Sequence, residues 1–233
     1  MKIVLLPGLD GTGNLFSSLI NELPDHDCEV IPLPTTCSQD YPSITTAITE
    51  KLPTEDFILI AESFSGPIGA TLVKKDIHNL KGIIFVATFL STPQKLLVDI
   101  ARHLPLKHLS RFPFSKYWIK LLFLGAHANN DLLNSFLRTI QSLPSKVIKD
   151  RLRAISFLSI NKQESSFPCR YIQAKNDKLI SPKKAIEFHS YFHNIVTKTI
   201  DGPHFILQAK PKESALMVSE FISHLQEKRH IQS

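Results

Sequence analysis

Short apolar runs alternate along the chain with segments of helical periodicity. Six runs rich in Ile, Val and Leu are bounded by turn residues and contain no polar alternation: residues 2–8, 28–34, 56–63, 81–88, 169–177 and 194–202. Such runs are typical of parallel strands that are buried on both faces. Most of the segments between them have helical patterns, at residues 14–23, 43–52, 65–75, 182–192 and 211–226. The pattern predicts an α/β fold, with a mainly parallel sheet of about six strands and helices on both faces.

The alternation stops between residues 89 and 166, where the sequence is helical throughout. Proline and glycine residues interrupt this segment at Pro93, Pro105, Pro113, Gly125 and Pro144. Because proline and glycine end helices or join them, the segment predicts an insertion of three or four helices between two strands of the sheet.

Composition places the chain among ordinary globular proteins. Apolar residues make up 43% of the sequence and charged residues 21%, which argues against a disordered or fibrous chain. The apolar run at the N-terminus is too short for a signal peptide, and no later run approaches the ~20 apolar residues of a membrane span. Cys28, Cys37 and Cys169 lack metal-ligand spacing, so we expect reduced thiols. These features predict a cytoplasmic protein without stable membrane insertion. No feature specifies an oligomer, so a monomer is the default.

Positive charge is concentrated in the helical insertion. The whole chain has a formal net charge of +6, whereas residues 91–165 alone contain 12 Lys and Arg against 4 Asp and Glu. No nucleic-acid module or basic-aromatic repeat accompanies this excess, so we expect no nucleic acid partner. An acidic macromolecule or an anionic substrate that meets one face of the protein fits the same charge.

Polar residues with catalytic chemistry follow four of the predicted strands. Ligands of α/β sheets bind beyond the carboxyl ends of the strands, and the segments there are LPGLDGTG, AESFSG, AKNDKLISP and DGPHFILQ. A nucleophilic serine on a sharp strand-to-helix turn needs small residues two positions before it and two and three positions after it. Ser63 has Ala61, Ser65 and Gly66 there, whereas Ser65 would be followed by a proline and an isoleucine. The pattern favours Ser63 as the nucleophile.

Asp177 and His204 complete a candidate triad with Ser63. A serine hydroxyl needs a base, usually histidine, and a carboxylate that fixes the tautomer of that histidine. The three residues occur in the order serine, acid, histidine, each at a strand end, and this combination is more informative than any one of them. The oxyanion would need backbone N–H donors, for which Phe64 and Leu9 are the candidates. This chemistry requires neither a metal nor an organic cofactor.

From LPGLDGTG to GPHFILQAKP the chain resembles the α/β-hydrolase superfamily. Its elbow motif is degenerate, because small residues replace both glycines of the usual G-x-S-x-G, and a proline stands in the first loop where histidine is usual. The resemblance implies an α/β-hydrolase fold without the two N-terminal strands of the full fold. It also implies a core domain of residues 1–88 and 167–233, and a helical cap of residues 89–166 that lies over the active site and sets specificity.

One arginine of the insertion breaks the pattern of its helix. The segment 145–158 has an apolar face and a basic face, and Arg151 falls in the middle of the apolar face. A buried guanidinium without a partner is very costly. We therefore expect a structural ion pair between Arg151 and a carboxylate beside the nucleophile, Glu62 or Asp10. A substrate carboxylate is the alternative partner.

The basic residues of the insertion suggest a partner of opposite charge. Arg138, Lys146, Lys149 and Arg153 are expected on one exposed face, which serves either solubility or the docking of an acidic partner. Acyl carrier protein is such a partner, because it is strongly acidic and presents an acyl chain on a long arm. In size, cap position and charge the chain resembles the esterases of biotin synthesis that demethylate the methyl ester of pimeloyl-acyl carrier protein.

The sequence therefore predicts a serine hydrolase that acts on ester bonds, a carboxylesterase. The methyl ester of a carrier-bound acyl chain is the most specific substrate that the resemblance suggests. Acyl thioesterases, acyltransferases, and hydrolases of small esters or lipids would use the same triad and remain alternatives. A non-catalytic member of the fold that binds a ligand is the alternative outside the enzymes.

Overall fold

Six parallel strands form one sheet in the computed structural model of the chain, which describes residues 1–93, 114–126, 128–160 and 164–232. The spatial order is β2-β1-β3-β4-β5-β6. The strands are β1 (Lys2–Leu6), β2 (Cys28–Val30), β3 (Phe57–Glu62), β4 (Leu80–Val86), β5 (Cys169–Ala174) and β6 (Val196–Ile200). Every strand pair is parallel, so all carboxyl ends lie along one edge. The prediction of a parallel sheet of about six strands is confirmed.

Helices connect the strands and also occur in the described part of the insertion. They are α1 (Ser17–Asn21), α2 (Tyr41–Thr49), α3 (Gly66–Lys74), α4 (Ser115–Ile119), α5 (Asn130–Ser142), α6 (Ser145–Ser156), α7 (Pro182–Phe188), α8 (Ile206–Ala209) and α9 (Pro211–Gln232). Local capping defines some of the starts, because the side chains of Asp40 and Asn129 accept hydrogen bonds from the first turns of α2 and α5. None of the described helices is long and apolar enough to cross a membrane.

The sheet has an apolar core on each face. Successive residues of a strand point to opposite faces, so Leu59 of β3 lies in one core and Ile58 and Ile60 lie in the other. Helices α2, α3 and α7 contribute to the first core, and α1 and α9 contribute to the second. Both faces of β3 are completely buried, which explains why its sequence is apolar without alternation.

The second strand is shorter than the sequence pattern predicts. The apolar run 28–34 predicts a full strand, but β2 ends at Val30. Ile31 still donates its N–H to the Leu5 carbonyl at 3.1 Å, and the next residue, Pro32, has no N–H to continue the ladder. The chain then turns to the loop after β1, where the Leu33 N–H meets the Gly11 carbonyl at 2.8 Å.

In the described part of the insertion, α4 continues into a π-helical segment, Lys120–Leu124, and α5 and α6 follow before β5. Helix α6 contributes apolar side chains to the first core, and α5 packs Phe136 against Phe205 with ring centroids 5.4 Å apart. Residues 94–113, 127 and 161–163 of the predicted cap lie outside the described residues. The division into a core and a cap stays a prediction.

Candidate active site

Ser63 lies on the sharp turn between β3 and α3. It begins a single turn of 3₁₀ helix, Ser63–Ser65, and its backbone φ of 48° is in the left-handed region. This conformation is strained for a residue with a Cβ and occurs preferentially at functional sites. A Cβ at Gly66 would lie 2.0 Å from Thr88 Oγ1, so the turn needs glycine at that position. The requirement for small neighbours that favoured Ser63 thus has a direct steric cause.

Thr88 and Tyr171 support this turn, and the sequence analysis missed both. The Thr88 hydroxyl donates a hydrogen bond to the Ser63 carbonyl. Tyr171 in turn donates to the Thr88 carbonyl at 2.8 Å and accepts from the Thr88 N–H at 3.0 Å. The available signal was position, because Thr88 follows β4 at the same sheet edge as Ser63.

The structure brings Ser63, His204 and Asp177 into one hydrogen-bonded chain. Ser63 Oγ lies 3.0 Å from His204 Nε2, and His204 Nδ1 lies 2.8 Å from Asp177 Oδ2. The other carboxylate oxygen of Asp177 accepts the backbone N–H groups of Leu179 and Ile180 at 2.8 and 2.9 Å. Only 4% of the Asp177 side chain and 5% of the His204 side chain are exposed. The carboxylate is therefore fixed by the loop after β5 and oriented toward the imidazole.

Ser65 has a different environment from Ser63. It is completely buried, and its hydroxyl donates to the Pro7 carbonyl at 2.5 Å. This bond ties the turn after β3 to the loop after β1. Of the two serines that the motif offers, the structure brings Ser63 to the histidine.

The surroundings of His204 favour the charged, doubly protonated form of its imidazole. Burial by itself lowers the pKa of His204, but the charge of Asp177, its hydrogen bond and the charge of Glu62 raise it. The raising effects prevail, so the pKa of His204 lies above its ordinary value. The arrangement suits a base that must hold a proton during a reaction. Among the described residues, no three His, Cys, Asp or Glu side chains come together as metal ligands would.

The loop after β1 lies directly against the nucleophile. A Cβ at Gly8 would lie 3.4 Å from the Cβ of Ser63, and the Gly11 N–H closes a turn onto the Gly8 carbonyl at 3.0 Å. Leu9 is therefore in a turn beside Ser63, and Phe64 follows Ser63 in the 3₁₀ turn. Their N–H groups are the candidates for an oxyanion hole, and that role stays a prediction.

Glu62 is buried behind the nucleophile, with an exposed fraction of 3%. Gln208 Nε2 donates to its two oxygens at 3.0 and 3.3 Å. Burial, and then the charge of Asp10, raise the pKa of Glu62 to about 7, against the lowering effects of Gln208, His204 and the Gly8 N–H. The predicted pairing of Glu62 with Arg151 is wrong, because the N–H donors of Arg151 bind other oxygens.

Arg151 is completely buried, as its place on the apolar face of α6 predicts. Its partners are neutral oxygens rather than the predicted carboxylates. The Nε atom donates to Gln39 Oε1 at 2.9 Å, and the Nη atoms donate to four backbone carbonyls, those of Leu9, Asp10, Leu33 and Pro34, at 2.9, 3.0, 3.5 and 3.2 Å. Asp10 thus contributes its carbonyl, while its carboxylate accepts from Thr12. Burial lowers the pKa of Arg151 to about 10 and the charge of Asp10 opposes this, so the guanidinium stays charged at neutral pH.

The four basic residues of the predicted docking face are all exposed. Arg138 lies on α5, and Lys146, Lys149 and Arg153 lie on α6. Lys146 pairs with Asp150 at 2.5 Å, and Arg153 lies 6.0 Å from the ring centre of Phe157. Their common exposure is compatible with docking and with a solvated surface.

A cleft of about 1040 Å³ opens beside the site, between α5, the loop after β6 and the end of α8. Residues of its lining include Leu132, Pro203 and Gln208, whereas Ser63, Asp177 and His204 do not line it. We therefore do not assign the acyl chain to this cleft.

Comparisons with known proteins agree with this geometry. Residues 30–202, about three quarters of the chain, match the model of the serine aminopeptidase S33 family of hydrolases. No curated protein matches the sequence significantly. Because the family match contains Ser63 and Asp177 and ends two residues before His204, it covers most of the site.

Several solved structures share the fold at low sequence identity. An esterase from Exiguobacterium antarcticum superposes with a TM-score of 0.78 at 14% identity, over 97% of this chain and 92% of that chain. An enol-lactonase from Burkholderia xenovorans gives 0.76 at 12% identity, over 95% and 90%. The RedJ thioesterase of prodiginine biosynthesis from Streptomyces coelicolor gives 0.67 at 18% identity, over 95% and 89%. The fold and the family match together confirm the predicted superfamily: the chain belongs to the serine aminopeptidase S33 family of α/β-hydrolases.

Proposed function

We propose that this hydrolase cleaves carboxylic esters with Ser63 as nucleophile, His204 as general base and Asp177 as the residue that orients His204. The observation that carries the proposal is the continuous hydrogen-bonded chain from Ser63 Oγ to Asp177, which begins at a strained residue on the sheet edge. A non-catalytic protein would have no reason to keep a serine in this conformation beside a buried histidine. The esterase and the lactonase that share the fold act on ester bonds by their names, which supports the same bond class here.

The geometry suggests the following sequence of steps. His204 Nε2 takes the proton of Ser63 as its Oγ attacks the acyl carbon, and Asp177 stabilises the imidazolium. The N–H groups of Leu9 and Phe64 bind the oxyanion of the tetrahedral intermediate. His204 then gives its proton to the departing alcohol, which leaves an acyl group on Ser63. A water molecule deprotonated by His204 releases the acid and restores the serine.

A panel of p-nitrophenyl esters with wild type and Ser63→Ala tests this proposal. Removal of a triad nucleophile costs about 10⁶-fold in kcat in well-studied hydrolases, so the variant should show no turnover above background. A fluorophosphonate probe should label wild type once and should not label Ser63→Ala. Equal activity of the two proteins, or wild type that neither reacts with the probe nor turns over any ester, would contradict the proposal.

The bond class needs a separate comparison, because RedJ shows that a thioesterase can have this fold. An oxygen ester and a thioester with the same acyl chain should be offered to the enzyme in parallel. We expect the larger kcat/KM for the oxygen ester. The reverse ratio would assign the protein to the thioesterases, which use the same triad.

The most specific substrate that we propose is the methyl ester of an acyl chain on acyl carrier protein, as in the cytoplasmic pimeloyl ester step of biotin synthesis. The support is the exposed basic face of Arg138, Lys146, Lys149 and Arg153, which is complementary to an acidic carrier. A carrier-bound methyl ester should therefore react faster than the free methyl ester, and added salt should reduce the advantage.

Charge reversal on α6 tests the docking face directly. We expect Lys149→Glu/Arg153→Glu to raise KM for the carrier-bound ester about tenfold or more and to leave small p-nitrophenyl esters unaffected. Lys198→Glu/Lys212→Glu is the matched control, because it makes the same charge change at two exposed lysines of the core. If the two double variants have equal effects, the carrier-bound ester responds to the net charge of the protein and not to the basic face, which would contradict docking at α6.

A further inference from the structure

Arg151 makes five hydrogen bonds from the apolar, buried face of α6. A guanidinium has five N–H donors, and the five contacts of Arg151 use one acceptor for each. Burial of such a cation costs several kcal/mol, and a well-packed apolar side chain often gives equal or greater stability. The stability of α6 therefore does not explain why an arginine is present.

The contacts of Arg151 converge on the turn that lies against the nucleophile. That turn runs from Gly8 to Gly11, and its two central residues, Leu9 and Asp10, both direct their carbonyls to Arg151 Nη1. Two carbonyls bound to one nitrogen fix both peptide planes that follow the Leu9 N–H. The Leu9 N–H itself belongs to the preceding peptide, whose Gly8 carbonyl accepts the Gly11 N–H, so Arg151 constrains this amide through the turn that the two planes complete.

A second loop braces the same guanidinium from the other side. Arg151 Nη2 donates to the carbonyls of Leu33 and Pro34 in this loop. Leu33 also donates its own N–H to the Gly11 carbonyl. Gly11 has a φ of +69°, and a Cβ there would lie 2.1 Å from Arg151 Nη1. The glycine thus makes room for the guanidinium against the turn itself.

The far side of the turn is held by the residues around the nucleophile. Ser65 Oγ binds the Pro7 carbonyl at 2.5 Å, and the Gly8 N–H stabilises the charge of Glu62. The turn is consequently clamped between two elements, the elbow of the sheet and helix α6 of the insertion. Loss of the second clamp would remove both hydrogen bonds that the carbonyls of Leu9 and Asp10 make to Arg151, and the turn would then be held by the elbow and by the Leu33 N–H at Gly11.

We propose that Arg151 is a positioning residue for the oxyanion hole, which holds the Leu9 amide in the orientation that binds the oxyanion. This inference rests on the proposed ester hydrolysis and extends it. Arg151 does not touch the substrate; it acts through the turn from Gly8 to Gly11. Because the oxyanion exists only after Ser63 attacks, the effect of Arg151 falls on the transition state rather than on substrate binding.

Arg151→Met is the first test, because methionine fills an apolar site without a charge. Loss of a whole oxyanion donor costs about 10²–10³-fold in kcat, and a misdirected donor should cost about 10–100-fold, with KM within about threefold of wild type. The matched control is Arg170→Met, which removes another buried arginine, one that donates to the Met217 carbonyl near the amino end of β5, and it should keep both constants. Unchanged kcat in folded Arg151→Met would overturn the proposal.

A pair of inhibitors separates positioning from a general loss of structure. A trifluoromethyl ketone adds to Ser63 and places an oxyanion in the hole, whereas the corresponding ether has no carbonyl. The affinity of Arg151→Met for the ketone should fall by about the same factor as kcat/KM, and its affinity for the ether should not change. An equal fall for ketone and ether would show a structural role only and would contradict positioning.

Gln39→Met keeps the proposal testable if Arg151→Met does not fold. Gln39 is 5% exposed and binds only one of the five donors, Arg151 Nε. Its loss should lower kcat about threefold to tenfold, again without a change in the affinity for the ether. If kcat stays at the wild-type value, the orientation of the guanidinium does not matter and the inference is wrong.

Failure of this inference can be distinguished from failure of the proposed function. If the protein is not a serine ester hydrolase, wild type and Ser63→Ala are equally inactive. If only the role of Arg151 is wrong, wild type hydrolyses esters, Ser63→Ala does not, and Arg151→Met retains the kcat of wild type.

Discussion

The two halves of the candidate site are held in place in different ways. Ser63, Asp177 and His204 follow strands β3, β5 and β6, and the hydrogen bonds that join them lie within the sheet edge. The insertion reaches this half mainly by apolar packing on Phe205. The turn that contains Leu9, in contrast, is bound by a charged side chain of the insertion. The nucleophile is thus supported by the core, whereas the candidate oxyanion hole depends on a helix inserted between two strands.

Asp177→Asn should have the largest effect on the triad half. Asparagine Oδ1 can still accept the N–H groups of Leu179 and Ile180, so its amide nitrogen would face His204 Nδ1. The imidazole would then carry its proton on Nε2 and could not accept one from Ser63. A histidine held in the wrong tautomer in this way lowers kcat about 10⁴-fold. Ester turnover measures the loss. Thermal unfolding is the control and should change little. A loss below about tenfold would mean that the carboxylate does not orient the histidine.

Thr88→Val should have an intermediate effect, because it leaves the triad intact and removes one support of the elbow. The Ser63 carbonyl would lose its donor, and an unsatisfied buried group costs about 1–3 kcal/mol. We expect the free energy of unfolding to fall by that amount and kcat to fall about tenfold as Ser63 relaxes from its strained φ. Thr71→Val is a control of the same chemistry, since the Thr71 hydroxyl binds a carbonyl within α3. If the two valine variants behave alike, the elbow does not depend on Thr88.

Glu62→Gln should have the smallest effect on turnover and a clear effect on stability. The pKa of Glu62 is about 7 in the folded protein and 4.5 ordinarily, so folding binds its proton more tightly. Relative to Glu62→Gln, the unfolding free energy of wild type should therefore decrease by about 3 kcal/mol as the pH rises from 4.5 to 7. Urea unfolding at several pH values measures this difference.

The same variant should also shift the acid limb of the pH–rate profile. The charge of Glu62 raises the pKa of His204, so its removal should move the limb to lower pH, where the imidazole is then still neutral. A difference in stability that does not vary with pH would mean that folding leaves the pKa of Glu62 at its ordinary value. An acid limb that stays in place would mean that the charge of Glu62 does not act on His204.

Local sequence was enough to predict the fold and the placement of the triad. Buried parallel strands have continuous apolar runs, and residues that follow such runs come together at one sheet edge, so Ser63, Asp177 and His204 could be grouped before any coordinates. The choice of Ser63 over Ser65 followed from the size of neighbouring residues. These inferences rest on short-range sterics and on strand order, both of which the sequence expresses directly.

The partners of Arg151 could not be predicted in the same way. Helical periodicity predicts its burial, but the only partners of a guanidinium that residue types reveal are charged side chains. Four of its acceptors are backbone carbonyls, which every residue has and no residue type identifies. Likewise the amide of Gln208 lies 146 positions from Glu62 in the sequence, and only the packing of α8 brings the two together.

The guanidinium of Arg151 also limits how this protein can be redesigned. Inserted helices that cover an active site are attractive units to exchange when a new substrate range is wanted. Here an exchanged segment without an arginine at this position would remove a donor from four carbonyls of two loops, and among the described residues only the Pro34 carbonyl would keep another donor, Gln39 Nε2. A chimera should therefore retain α6 or carry its own donor to these loops, and Gly11 must stay glycine in either construction.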